Sequence, residues 1–139
     1  MKSNALCSFV AAVATFAVAG CGGMDMEGEA DPFREAVGAS GKLHFQVDAD
    51  KPLAQGDNDL RILIREASTN APFVGATVHV SAMMPSMAHD VPPPDIEELD
   101  GGNYVARRLS LSMAGRWVVD IEATREQTAD TVRFTYDLR

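Results

Sequence analysis

From Leu43 onward, apolar side chains recur at every second position, which is the period of a strand with one buried face. Leu43, Phe45 and Val47 alternate with His44 and Gln46, and Leu60, Ile62 and Ile64 alternate with Arg61 and Leu63 before Arg65 closes the run. Ala76, Val78, Val80 and Ala82 form a third row around Thr77, His79 and Ser81. Tyr104 and Ala106 lead into Leu109 and Leu111, and the slip of phase at Arg107-Arg108 predicts a bulge. Trp117, Val119, Ile121 and Ala123 make the next row, and Val132, Phe134, Tyr136 and Leu138 the last. Between the rows lie turn-forming stretches: Gln55-Gly56-Asp57-Asn58, Thr69-Asn70-Ala71-Pro72, Asp100-Gly101-Gly102-Asn103 and Ala114-Gly115. Six clear strands, a short one near residues 96–99 and no amphipathic helix predict an all-β fold, an immunoglobulin-like β-sandwich of about seven strands over residues 42–139. Trp117 is expected between the sheets and His44 and His79, in the polar phase, on solvated faces.

The start of the chain has a different pattern. Lys2 precedes an apolar run over residues 5–19, shorter than the roughly 20 residues that span a bilayer, and Val18-Ala19-Gly20 places small residues before Cys21. That arrangement reads as a lipoprotein signal peptide over residues 1–20, with Cys21 as the acylated N-terminus. Residues 21–41 lack hydrophobic periodicity and read as a flexible tether. The expected location is the cell envelope, lipid-anchored and facing the periplasm; Gly22, in place of an aspartate, leans toward the outer membrane.

Removing residues 1–20 takes away one lysine and no acid, so the formal charge goes from −8 to −9. A balance this acidic argues against nucleic acid as a partner, which requires a basic footprint. Cys7 leaves with the signal peptide and Cys21 is acylated, so the domain has no thiol for a disulfide, a nucleophile or a metal site.

One segment breaks the strand pattern: Met83-Met84-Pro85-Ser86-Met87-Ala88-His89-Asp90-Val91-Pro92-Pro93-Pro94. Methionine normally goes inside, yet these prolines prevent a helix or central strand from burying all three methionines regularly. The loop therefore either packs over one end of the sandwich, a task suited to methionine, or presents its sulfurs to something. Thioether sulfur is a soft, neutral donor that favours Cu(I) and forms no disulfide in an oxidising envelope. His89 adds an imidazole, and the prolines limit the entropy lost when the loop closes on an ion. If the short strand near residues 96–99 forms, this loop and the turn holding Met113 share one pole of the sandwich, and Met84, Met87, His89 and Met113 converge as metal ligands. Without it, Met113 lies at the opposite end.

Residues 78–119 carry a resemblance. A strand with Val78 and Val80, then Met84-Pro85-Ser86-Met87-Ala88-His89, then Gly102-Asn103-Tyr104 and the turn Met113-Ala114-Gly115-Arg116-Trp117, resemble the YtkA-like domain family, related to FixH proteins. The resemblance implies a β-sandwich outside the cytoplasmic membrane, in proteins associated with copper-handling and respiratory-oxidase assembly systems. Ala88 departs from the pattern, standing where glycine is common, and the lipid anchor replaces the membrane helix of FixH-type members.

Two functions follow. One is a non-enzymatic module that binds or transfers copper through the Met/His loop; the other is an interaction or structural module without metal that recognises an envelope protein. Catalysis has little support: Ser86, His89 and Asp90 share a proline-bounded loop with no glycine elbow or helix N-terminus behind them. Asp95, Glu97 and Glu98 read as a solvated acidic edge.

Overall fold

The computed structural model describes residues 30–139, the side chain of His89 excepted. The expected signal peptide and Cys21 lie outside the described residues. Nine strands follow in order: β1 (Arg34–Val37), β2 (Leu43–Asp48), β3 (Gly56–Glu66), β4 (Thr77–Met84), β5 (His89–Asp90), β6 (Asp95–Glu98), β7 (Asn103–Leu111), β8 (Gly115–Arg125) and β9 (Thr128–Leu138). The apolar rows read from sequence become the buried faces of β2, β3, β4, β7, β8 and β9, and β6 is the expected short strand.

The strands form two antiparallel sheets, β1-β2-β3-β7-β6 and β5-β4-β8-β9. Leaving out β1, this order reproduces the two sheets of an immunoglobulin sandwich, the second including a strand added beside the third of the chain. Apolar side chains of both sheets meet in one core, with Leu43, Phe45, Ile62, Val80, Trp117 and Tyr136 all fully buried. Each such side chain contributes about 1.5–3 kcal/mol relative to remaining exposed. Trp117 is in that core, its indole Nε1 donating to the Met113 carbonyl oxygen at 2.9 Å. The predicted bulge is present: Arg107 and Arg108 stand opposite Asp59 alone, and Arg108 has φ +60.

Two expectations are revised. β1 falls inside residues 21–41, read as a tether, and Ala30 forms a bridge with Leu53. The ordered domain thus includes residues before Lys42. β1 has no fully buried side chain, so its sequence shows no apolar row; it is held by pairing with β2 and by Arg34, whose guanidinium lies 4.6 Å from the centre of the Tyr136 ring. The Met/His segment is also less loop-like than expected. Met83 and Met84 end β4, His89 and Asp90 pair back on them as β5, and only residues 85–88 form the connecting turn.

Candidate functional site

Antiparallel pairing decides which loops share an end. β4 runs against β8 with Met83 opposite Val118, so the C-terminal end of β4 lies beside the start of β8. β7 ends at Leu111, opposite Gly56 at the start of β3, and three residues carry the chain over to Gly115. The Met84–His89 hairpin, the Met113 turn, the β2–β3 loop and the end of β9 therefore occupy one pole, called here the Met pole. The condition set by the sequence, a strand at β6 returning the chain to the first sheet, is met, and Met113 lies at the same end as the hairpin.

The side chains at that pole differ in exposure. Met84 is 2% exposed and belongs to the core. Gly115 lies against it: a Cβ built there would sit 3.1 Å from Met84 Cε and 3.7 Å from its Sδ, and Gly115 has φ +130. Only glycine satisfies both the close approach and the backbone conformation. Met113, two residues before Gly115, is half-buried against the core, and its carbonyl carries the Trp117 indole. Met87 is at the hairpin tip and 62% exposed; its N–H donates to the Met84 carbonyl at 3.2 Å. The backbone of His89 pairs with Met84, which fixes where that residue leaves the strand.

Ala88, where glycine is common in the resembling family, has φ +48. The left-handed region costs a residue with a Cβ roughly 1–2 kcal/mol, so the turn carries strain immediately before His89. Ser86 is exposed in the same turn. Among the described residues no group of three or more His, Cys, Asp or Glu side chains is placed to hold a metal ion. Any soft-metal site here is built mainly from thioethers. The donor set suits that chemistry: neutral sulfurs at graded depth, with no thiol and no metal-holding carboxylate group among the described residues.

The other histidines play no part at this pole. His44 Nε2 lies 3.0 Å from Glu35 Oε1 across β1 and β2, and His79 is exposed on β4.

The opposite pole holds two groups that residue patterns alone did not single out. Asp130 is buried, and its carboxylate accepts backbone N–H groups from Ser40 at 2.8 Å and from Lys42, Leu43 and Thr131 at 2.9 Å. Burial pushes this carboxyl up, but the donors on Ser40, Leu43 and Lys42 more than offset it and hold it below the usual carboxylate range. Gly38 packs so closely that a Cβ there would fall 2.3 Å from Asp130 Cγ. Near it, Tyr104 donates its hydroxyl to the Phe73 carbonyl at 2.8 Å and accepts the Ala76 N–H at 3.1 Å, and Arg125 stacks 4.1 Å from the centre of the Phe73 ring. Burial raises the Tyr104 hydroxyl above its ordinary value. A sequence signal for Asp130 existed: it occupies the inward phase of β9, in step with Val132, Phe134, Tyr136 and Leu138. Asn58 repeats the pattern in β3, buried in phase with Leu60 and bonded to the Ala54 and Gly56 carbonyls.

A family model described as YtkA-like matches residues 39–122, more than half of the chain. Neither a curated protein nor a solved structure matches it.

Proposed function

This chain belongs to the YtkA-like family, and from that premise we propose that it is a cell-envelope lipoprotein, anchored through Cys21, whose sandwich binds or passes on Cu(I) at the Met pole. The observation that carries the reading is the gathering of Met84, Met87 and Met113, with the backbone of His89, around one hairpin and one turn. Met84 and Met113 offer thioethers in an apolar setting, and Met87 offers one at the surface. Bound copper would supply a soft Lewis-acidic or electron-carrying centre; this chain's part is to present donors without disulfide chemistry and to hold the hairpin in register. The role is non-enzymatic, acting on other proteins of a copper-handling system in the envelope.

A second reading rests on a specific observation. Met84 is buried against Gly115 and Met113 packs on the core, which is what a plug over the sandwich end requires. The pole then serves as an apolar contact for an envelope protein, with no metal.

A competitive Cu(I) titration of the acyl-free protein against a chromophoric chelator, without oxygen, separates the two. One equivalent withheld from the chelator, and lost in a Met87→Ala, His89→Ala double variant, is the result expected of a metal site. Failure to compete returns the methionines to packing and leaves partner contact as the function.

A further inference from the structure

We infer that the Met pole faces the lipid surface to which Cys21 ties the chain, so that the hairpin tip works in the layer between the domain and its membrane. The inference rests on the lipoprotein reading above and adds a direction to it.

The chain joins the domain at the Met pole. Ala30 bridges Leu53 in the β2–β3 loop, with N–H···O bonds of 2.8 Å in both directions. Two residues later the Pro32 carbonyl accepts the Tyr136 hydroxyl at 3.2 Å, near the end of β9. Both contacts lie at the end of the sandwich that carries residues 85–88. The junction is therefore fixed to that pole by strand pairing and by a side-chain bond.

Length then biases the orientation. Nine peptide steps separate Cys21 from Ala30, and a chain spans at most about 3.3–3.6 Å per residue, about 30 Å here. β8 and β9 are eleven residues each, which at about 3.3 Å per residue makes the sandwich about 35 Å from pole to pole. At full stretch the connection only about matches the domain, so with Ala30 bridged to Leu53 the opposite pole reaches the bilayer only if those nine steps run fully extended along the side of the sandwich, at a large cost in chain entropy. A tether several times longer would have removed this constraint. The hairpin tip itself is uncharged, with Pro85, Ser86, Met87 and Ala88 exposed, while Asp50, Asp57 and Asp90 at the same pole are exposed carboxylates. The overall negative charge favours a zwitterionic bilayer over an anionic one.

The chemistry of the N-terminus provides the test. With Cys7 removed and Cys21 acylated, a single introduced cysteine is the only free thiol in the mature chain. The full-length acylated protein, carrying Ser86→Cys at the hairpin or Gln127→Cys at the opposite pole, is labelled with a donor dye and reconstituted in phosphatidylcholine vesicles bearing a headgroup acceptor. Energy transfer is expected to be about twofold or more stronger from position 86, for a height difference of about 35 Å. Inserting twenty Gly/Ser residues after Gly23 should erase the difference. Equal transfer from the two positions, or stronger transfer from 127, overturns the orientation. A difference that survives the insertion overturns the tether-length argument. Failure to float with the vesicles, or an N-terminus without acyl mass, overturns the anchor and the orientation together. Cu(I) competition on the same samples reads the metal proposal independently.

Discussion

The two poles of this sandwich are closed in opposite ways. At the far pole the polar groups are used on one another: the Asp130 carboxylate takes four backbone N–H groups, the Tyr104 hydroxyl joins Phe73 to Ala76, and Arg125 stacks on Phe73 while pairing with Glu66. At the Met pole the closure is mostly apolar, with Met84 seated on Gly115, Met113 on the core and Met87 left outside. Directional bonds dominate one end, whereas at the other Asn58, Tyr136 and the Trp117 indole make them alongside the methionines. Soft, adaptable side chains cover the Met pole, which leaves donor atoms whose geometry tolerates adjustment.

The sharpest way to break this contrast is at Asp130. Asp130→Ala leaves the buried Leu43 N–H and its neighbours without their acceptor, and we expect a loss of about 3 kcal/mol in denaturant unfolding, with Cu(I) affinity of the folded protein unchanged. The same residue sets a pH dependence. Its folded value is depressed, so its contribution is fully present above the unfolded carboxylate value, about 3.9, and fades as pH falls through the folded value. The stability gap between the native protein and Asp130→Asn should therefore hold at neutral pH and narrow below about pH 4. A gap that widened in acid would show that Asp130 is not the acid-sensitive pin.

A smaller loss is expected from Gly115→Ala. The added Cβ enters both a φ of +130 and the space of Met84 Cε. We expect about 1–3 kcal/mol from strain and crowding, together with weaker Cu(I) binding because Met84 is displaced. Weakened stability with undiminished affinity would remove Met84 from the site.

The finest test separates packing from sulfur chemistry. Met84→Leu preserves volume and should cost under about 1.5 kcal/mol, and Met87→Ala, at an exposed position, should stay within about 0.5 kcal/mol. If copper is the ligand, both lower Cu(I) affinity by at least tenfold in the chelator competition. If the pole is only a plug, neither does.

How far the sequence could be read depended on whether a residue's role was set by its near neighbours. Period-two rows gave β2, β3, β4, β7, β8 and β9, the phase slip gave the bulge at Arg107-Arg108, and turn residues gave most boundaries. β1 left no such trace, because an edge strand with no buried row looks like a linker until β2 is beside it. Asp130 was visible as a charge in an inward row, but three of its four donors come from a turn nearly ninety residues earlier in the chain. The Met-rich segment was legible as unusual, and Met84 continues the inward row of Val78, Val80 and Ala82, but the prolines after it hid where that row ends and that Met87 stands at a hairpin tip.

The sequence by itself determined the sandwich, its two-sheet core and the chemical character of the Met/His segment, because alternation and soft-donor content are properties of consecutive residues. Tertiary structure alone decided that Met113 joins the hairpin and that the N-terminal junction lies beside them. Those are outcomes of strand order and register, fixed when one sheet packs on the other, and no window of neighbouring residues contains them.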